Sequence, residues 1–584
     1  MSLRIGDVPQ TTDVLVIGSG FGGSVVAETL AEAGVEVCLV ERGKGYPPGS
    51  FPRTPAGVGT NFWDPSAGLH GMFNVWSFDG LDSVVSSGVG GGSLIYANVM
   101  LRKDESWFRQ HHPYRPGVTE EWSFGYGDLE PHYDAVERFL DVQRLPAHHP
   151  QFNLPKTAAF QAAATRLDGA HTTFAPLAVR FRDAQGEPAI GAPLPDAGYP
   201  NLFGAPRRTC RMLGECDVGC NDGAKNSLDH TYLSAASHHG ASLHERTEVR
   251  TITRRDDGRF DVEVVVHRPE NEGSPTDTRA LPIHTITARR VVVSAGTFGS
   301  TYLLLKNRER LGLDNPALGT RFCGNGDLLG FIFNSREKLD GTNGPVITSY
   351  ARFPDRIDTG SAEDFGMYIE DAGYPAFAAW LVETSQAGRQ LGRLSGLVAK
   401  RMWSRWTGRR RTSLSADIAS VLGPGRLTAQ SLPVLGMGRD IPDGTLYLRN
   451  GDTPEEILDS TWTTRTSMNY FDTMVHRMGK IAELLDGDFV VNPSYLLQRR
   501  VITVHPLGGC PADTTRATGV VDSHGRVHGV PGLRVCDGSV FPGPVGANPS
   551  LTIAAFARRV ALDMLEESPS TYHDDEDSEL AGAS

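Results

Sequence analysis

The chain is poor in cysteine, with seven among 584 residues: Cys38, Cys210, Cys216, Cys220, Cys323, Cys510 and Cys536. An odd, sparse set excludes a disulfide framework and predicts reduced thiols in a cytoplasmic protein. The chain also lacks any apolar run of about 18 residues, so no transmembrane helix is expected. Its opening, MSLRIGDVPQTTDVLVIGSG, has no positive segment ahead of a separate apolar stretch. The first apolar run reads as a strand, and no signal peptide is expected. Basic residues are in deficit, 56 against 69 acidic, for a net charge of −13. That excludes nucleic acid as the main partner. Metal-ligand spacing is missing as well. His111, His112, His148 and His149 come in pairs without cysteine or carboxylate support and read as surface residues. Cys210, Cys216 and Cys220 do not have ferredoxin spacing, so they read as buried thiols or a redox-labile pair rather than as an iron–sulfur site. No metal is expected.

What is present begins with length, which calls for two or more domains around a large α/β unit. Thr12 to Ile17 reads as a buried strand, Ser24 to Ala33 as a helix ended by Gly34, and Val35 to Val40 as a second strand: a βαβ unit. Arg290 to Ser294 and the following AGTFGSTYLLLK read as strand, turn and helix, Leu533 to Cys536 as a strand, and Pro549 to Glu567 as a helix. TLYLRN reads as a strand, whereas Trp107 to Pro206 has little periodicity.

Between the first strand and helix stands GSGFGG, with Gly18, Gly20 and Gly23 in GxGxxG positions. Gly18 permits the tight turn, Gly20 lets backbone approach a pyrophosphate at the helix N-terminus, and Gly23 lets helix and strand pack closely. Glu41, at the end of the second strand, is placed to accept hydrogen bonds from a ribose diol and disfavours a 2′-phosphate. FAD and NAD both fit these residues. A second glycine loop, SSGVGGGSLIYAN from Ser86 to Asn98, can line backbone N–H groups along a phosphate or a flavin edge. Near the other end, TVHPLGGC holds His505 stiffly, with Pro506 behind it and Gly508 and Gly509 free to approach another group closely, such as a flavin ring. A histidine there suits proton acceptance, since its ordinary pKa lies near operating pH.

GSGFGG with Glu41, GVGGGSLIYAN, VVVSAGTFGS, VHPLGGC and VCDGSVFPGPVGANPSLTIAAFA run in this order from end to end of the chain. Together they resemble the signatures of the glucose–methanol–choline (GMC) oxidoreductase family. RMLGECDVGCNDGAKNSLDHTYLSAA and LPVLGMGRDIPDGTLYLR resemble its cholesterol oxidase-like subgroup. The resemblance implies an α/β fold in which a Rossmann-like FAD-binding domain (1–104, 205–326 and 500–566) is interleaved with an α+β substrate domain (105–204 and 327–499) containing a mostly antiparallel sheet. Residues 567–584 form an acidic tail that is expected to be disordered. The implied cofactor is FAD, held non-covalently because Ser86 to Asn98 contains no histidine. Its implied binding residues are Gly18, Gly20, Phe21, Gly23, Glu41, Gly88, Gly91, Gly92, Ser93, Asn98, Asp537 and Asn548; for Asp537, a cap or turn role is an equal alternative. His505 matches the family's active-site histidine and Asn548 its partner.

The implied reaction is oxidation of a bulky apolar, sterol- or steroid-like secondary alcohol to a ketone, by hydride transfer to flavin N5 with His505 as proton acceptor. Two features depart from the subgroup. An alanine in FGMYIEDAGYPAFAAWL stands near the position of the glutamate that isomerises a double bond, with Glu370 and Asp371 nearby but out of register. Ser550 replaces an aromatic linked to oxygen access, so O2 and another electron acceptor both remain open. The alternatives are a flavin-containing isomerase or lyase without net redox, a GMC dehydrogenase for a non-steroid alcohol, and a non-catalytic flavoprotein that binds a lipid or partner. Residues 388–413 are basic throughout and partly helical in their apolar spacing. They read either as a helix packed over the substrate domain or as a peripheral membrane contact.

Overall fold

The computed structural model describes residues 3–115, 117–375, 430–450 and 456–567. Segment 388–413, the alanine-bearing stretch from 376 onward and residues 568–584 lie outside them. Two sheets organise the fold. The first has seven strands, with Ser242–His244, Val37–Val40, Thr11–Ile17, Ile283–Val293, Phe260–Val266 and Thr247–Arg254 in spatial order and Leu533–Val535 added beside Ile283–Val293. The pairings at its centre are parallel and the Phe260–Val266 side is antiparallel. Residues 14–17 (VLVI) and Val37–Val40 are unbroken apolar runs, fully buried as parallel strands covered on both faces must be. The helix between them, Phe21–Glu32, is buried nearly all round, packed against the helices Ser550–Glu566 and Tyr232–His238.

The second sheet has six antiparallel strands in the order His171–Phe174, Ser349–Phe353, Met367–Asp371, Leu432–Gly438, Leu328–Phe333, Asp488–Val491. The helix Met468–Leu484 covers one face, where Met474 and Met478 pack with Met367, Ile369 and Val434. Because side chains alternate along a strand, Tyr368 and Glu370 point to the opposite face. The architecture is α/β, with a parallel-rich sheet and a separate antiparallel one.

The βαβ unit is present with small shifts: the helix begins at Phe21 and the second strand at Val37. The stretch without visible periodicity contains two helices, Tyr126–Phe139 and Pro155–Ala164. Leu129, Tyr133 and Val136 form the buried stripe of the first, masked in the sequence by Gly125, Gly127 and Pro131. At the other end, Glu567 belongs to the ordered structure, accepting from Arg526 Nε at 2.9 Å. All seven cysteines are free thiols. Among the described residues, no group of three or more His, Cys, Asp or Glu could hold a metal ion, and no helix is long and apolar enough to cross a membrane.

The Phe21–Glu32 helix touches the C-terminal strand at Gly22. A Cβ there would lie 1.7 Å from the Cys536 carbonyl oxygen, which is backbone and cannot move aside. Gly22→Ala therefore overpacks the joint between the first helix and strand Leu533–Val535. We expect a loss of about 1–3 kcal/mol or more, read as a lower midpoint in denaturant; an unchanged midpoint would mean that the joint is not tight.

Candidate active site

The two glycine loops meet. A Cβ on Gly91 would lie 2.6 Å from Gly20 Cα, so the second loop cannot carry a side chain at the junction. Gly18, at φ +100°, is pressed against the Ser294 carbonyl, and Gly23 against the Gly18 carbonyl. Gly20 and Gly92 differ, since a Cβ on either would meet nothing within 4 Å. Open space thus lies beside Gly20, the N-cap of Phe21–Glu32, a helix with no acid in its first turn. Backbone N–H groups and an uncompensated helix dipole together favour a phosphate.

Glu41 is buried, and its carboxylate braces the turn. Oε2 accepts from Ser19 N at 3.1 Å and Ser19 Oγ at 2.7 Å, and Oε1 from Gly43 N at 2.9 Å. A carboxylate has about four acceptor sites, which leaves capacity on Oε1 for a ribose hydroxyl. Ser19, which the sequence reading passed over, joins the loops further: its hydroxyl lies 3.2 Å from the Gly88 carbonyl and accepts from Gly90 N at 3.0 Å. Ser93 Oγ donates to Gly90 O at 2.7 Å and accepts from Leu228 N. Phe21 packs edge-on to Tyr96 at 5.4 Å. Asn98 has φ +71°, and both polar atoms of its buried side chain lack a partner. Asp537 caps the turn Gly538–Val540 through Ser539 N, and also accepts from Gly296 N at 2.9 Å and Ser300 Oγ at 2.5 Å. These bonds fill the structural role open to it.

His505 is held from every side. Strand Val501–Thr503 pairs with Leu81–Ser86, Thr297 Oγ1 donates to the Pro506 carbonyl at 2.6 Å, and Leu507 exchanges backbone bonds with Cys323. Gly508 and Gly509 do allow close approach, but to the protein itself. A Cβ on the first would strike the Arg321 carbonyl at 2.0 Å and one on the second Thr301 Oγ1 at 2.2 Å. The imidazole Nδ1 lies 2.9 Å from Asp327 Oδ1. Asp327 has no exposed side-chain surface, and its Oδ2 accepts from Val504 N and Thr503 Oγ1, each at 2.9 Å. A carboxylate accepts, so in the neutral imidazole Nδ1 carries the proton and Nε2 the lone pair.

The same turn, Cys323–Asp327, holds the segment before Asn548. Asn325 accepts from Gly546 N at 2.8 Å and donates to the Ala547 carbonyl at 3.0 Å. Ser550 Oγ donates to the Val99 carbonyl at 3.1 Å, tying the neighbours of Asn548 and Asn98 together. Asn325 and Asp327 were not singled out in the sequence. The buried Asn548 Oδ1 has no partner. Gly20 and Gly92 thus border open space, and both amide atoms of Asn98 and the Oδ1 of Asn548 are unpaired, which suits a dinucleotide whose ring has a polar edge. FAD fits these residues.

Glu370 also comes to this site. Its carboxyl is fully buried beside the Asn548 amide, yet both oxygens lack hydrogen-bond geometry to any partner. Burial, with Asp371 and Asp327 nearby, pushes it well above the usual carboxylate range. Asp371, by contrast, has a structural role, accepting from Thr348 N and Ser349 N on the helix-covered side. A raised folded-state pKa contributes stability below the unfolded value, about 4.3, and that contribution is lost as pH rises. Glu370→Gln removes the dependence. The melting temperature of the variant relative to the parent should therefore climb between pH 5 and pH 8; a flat difference would place an ordinary, ionised carboxylate at Glu370.

Comparisons with known proteins bear on the family and the fold. Family models described as GMC oxidoreductase match residues 194–323 and 443–557, and one described as FAD binding domain matches residues 11–50. A cholesterol oxidase of Mycobacterium tuberculosis is 29% identical, over 94% of this chain and 90% of that protein. The paromamine 6'-oxidase of Streptomyces fradiae is 26% identical, over 95% of this chain and 91% of its own. The crystal structure of pyridoxine 4-oxidase from Mesorbium loti superposes with a TM-score of 0.59 at 14% identity, covering 95% of this chain and all of that one. The chain belongs to the GMC oxidoreductase family, as a cholesterol oxidase-like, FAD-dependent oxidoreductase acting on CH–OH groups.

Proposed function

We propose that the protein oxidises a bulky apolar secondary alcohol, sterol- or steroid-like, to a ketone, with His505 and Asn548 as its catalytic residues. The observation that carries this reading is the Nδ1 contact of His505 with Asp327, which leaves Nε2 as a fixed proton acceptor. When bound, FAD supplies a hydride acceptor at N5. The carbinol O–H donates to His505 Nε2, and the proton passes to that nitrogen as the C–H bond breaks. Asp327 then faces an imidazolium and stabilises it through Nδ1–H. The Asn548 amide orients the carbinol oxygen and stabilises the negative charge that develops there. FAD is held non-covalently by the two glycine loops and Glu41, since Ser86 to Asn98 offers no histidine. We further propose that the seven-stranded sheet marks the FAD-binding domain and the six-stranded sheet the substrate domain, with Asp327 at their junction.

The apolar substrate is supported by the similarity to cholesterol oxidases, which extends to one of Acinetobacter baumannii at 28% identity over 98% of both chains. A second reading, a non-steroid alcohol, is favoured by the full-length similarity to paromamine 6'-oxidase.

Anaerobic mixing of the holoenzyme with a 3-hydroxysterol, a long-chain alcohol and an aminoglycoside separates these readings by which one bleaches the flavin; bleaching by none favours an isomerase or lyase. With the alcohol that works, His505→Ala and Asp327→Asn should each slow reduction about 10²–10⁴-fold with FAD retained. Reduction of the His505→Ala flavin at the parent rate would make the imidazole structural.

A further inference from the structure

A cavity of about 240 Å³ lies between the start of the Met468–Leu484 helix and the Arg356–Thr359 segment. Arg356, Arg439, Thr466, Ser467 and Asn469 are among its lining residues. It is joined to the turn by Tyr470, whose hydroxyl donates to the Gly326 carbonyl at 2.9 Å.

Three features of this cavity point the same way. The Arg439 side chain is only 7% exposed, and its guanidinium is fixed over the Trp107 ring at 5.4 Å. Nη2 donates to the Arg109 carbonyl at 2.5 Å and Nε lies 3.8 Å from Asp355, but the buried Nη1 has no partner. A guanidinium N–H left unpaired out of water is costly and is met in functional sites by an acceptor. Next, the Arg356 guanidinium rests on the Phe365 ring at 5.1 Å and has no ion pair among the described residues. Finally, the Met468–Leu484 helix starts without a side-chain cap and without an acid in its first turn; the Oγ of its N-cap, Ser467, accepts instead from Ile441 N. Its first N–H groups have no side-chain acceptor; the turn Thr464–Ser467, capped by Thr463, leads directly into it, and Ser467, Asn469 and Tyr470 line the cavity. Asp355 lies 3.8 Å from Arg439 Nε and accepts from Ile357 N and Gly366 N, and Asp443 is bonded by Thr466; neither is among the lining residues.

We propose that this cavity binds a small oxyanion, the carboxylate or phosphate group of a second ligand, between Arg356, Arg439 Nη1 and the N-terminus of the Met468–Leu484 helix. A water occupies about 30 Å³ of liquid, so the space accepts such a group with a few attached atoms. Planar guanidinium forks and a helix N-terminus are the partners that recognise it. Its lining residues include none of those assigned to the alcohol site; the two are linked through Tyr470 and the turn, and through Arg439 and Trp107, which both pack at Gly546.

The test uses the FAD-loaded full chain, titrated with inorganic phosphate and separately with acetate, against chloride at matched ionic strength. Calorimetry and thermal unfolding are the readouts. Because Arg439 is packed into the fold, the variant is Arg356→Gln at the more open wall. Saturable binding of phosphate alone assigns a phosphate group, of acetate alone a carboxylate, and of both an undiscriminating oxyanion site. In each case Arg356→Gln should weaken binding about tenfold to a hundredfold, while alcohol-driven flavin reduction without anion stays at the parent rate. No saturable binding of either anion, or equal binding in Arg356→Gln, overturns the proposal.

Discussion

The buried carboxylate of Asp327 is the constraint on which the candidate site depends. Taking a carboxylate out of water costs several kcal/mol unless its oxygens are satisfied. Here they are met by the Val504 amide, the Thr503 hydroxyl and the His505 ring. The geometry is possible because Asn325 and Gly326 turn the chain through the left-handed region, at φ +55° and +67°. Immediately afterwards the chain enters strand Leu328–Phe333, inside a sheet covered by the Met468–Leu484 helix. The carboxylate therefore cannot follow the histidine if the ring moves; the ring has to stay with the carboxylate.

Two buried lysines treat the flanking loops alike. Lys103 donates to the Pro544 and Val545 carbonyls at 2.8 and 3.2 Å, with its ammonium 4.2 Å from the centre of the Trp122 ring. That fixes the approach to Asn548. Lys225 donates to the Leu94, Tyr96 and Cys216 carbonyls at 2.9, 3.1 and 2.7 Å, which fixes the approach to Asn98. Burial lowers the pKa of both, that of Lys225 to about 8. Carbonyls without hydrogen-bond donors would be costly in these interiors, so each lysine converts loop backbone into a rigid support. The unpaired amide of Asn98 and the unpaired Oδ1 of Asn548 are then presented by loops with little freedom to turn away.

The features legible in the sequence were those with local chemical punctuation. Gly18, Gly20 and Gly23 mark a strand–turn–helix because close backbone contacts exclude side chains, and Glu41 follows at the strand end. The apolar run before Ser294 reads as a buried strand for the same local reasons. His505 stood out because proline and glycine surround it. The partners of these residues were not legible, because they are fixed by long-range pairing. Asp327 lies 178 residues from His505, and Asn325 meets Gly546 and Ala547 across more than 200. Neither contact leaves a periodic trace. Glu370 was set aside on register in the sequence, but strand alternation and sheet order carry it to Asn548. Gly508 and Gly509 show the reverse limit: the sequence indicated a close approach but not what was approached.

The central claim, that Asp327 fixes His505 with its proton on Nδ1 and its lone pair on Nε2, is open to direct observation. Imidazole ¹⁵N spectra of the histidine-labelled, FAD-loaded protein report which ring nitrogen carries hydrogen, and His505→Ala assigns the signal. The account predicts that the neutral ring carries its proton on Nδ1 and not on Nε2, with that preference lost in Asp327→Asn. A His505 ring protonated on Nε2 alone, or one indifferent to the Asp327 substitution, would contradict it.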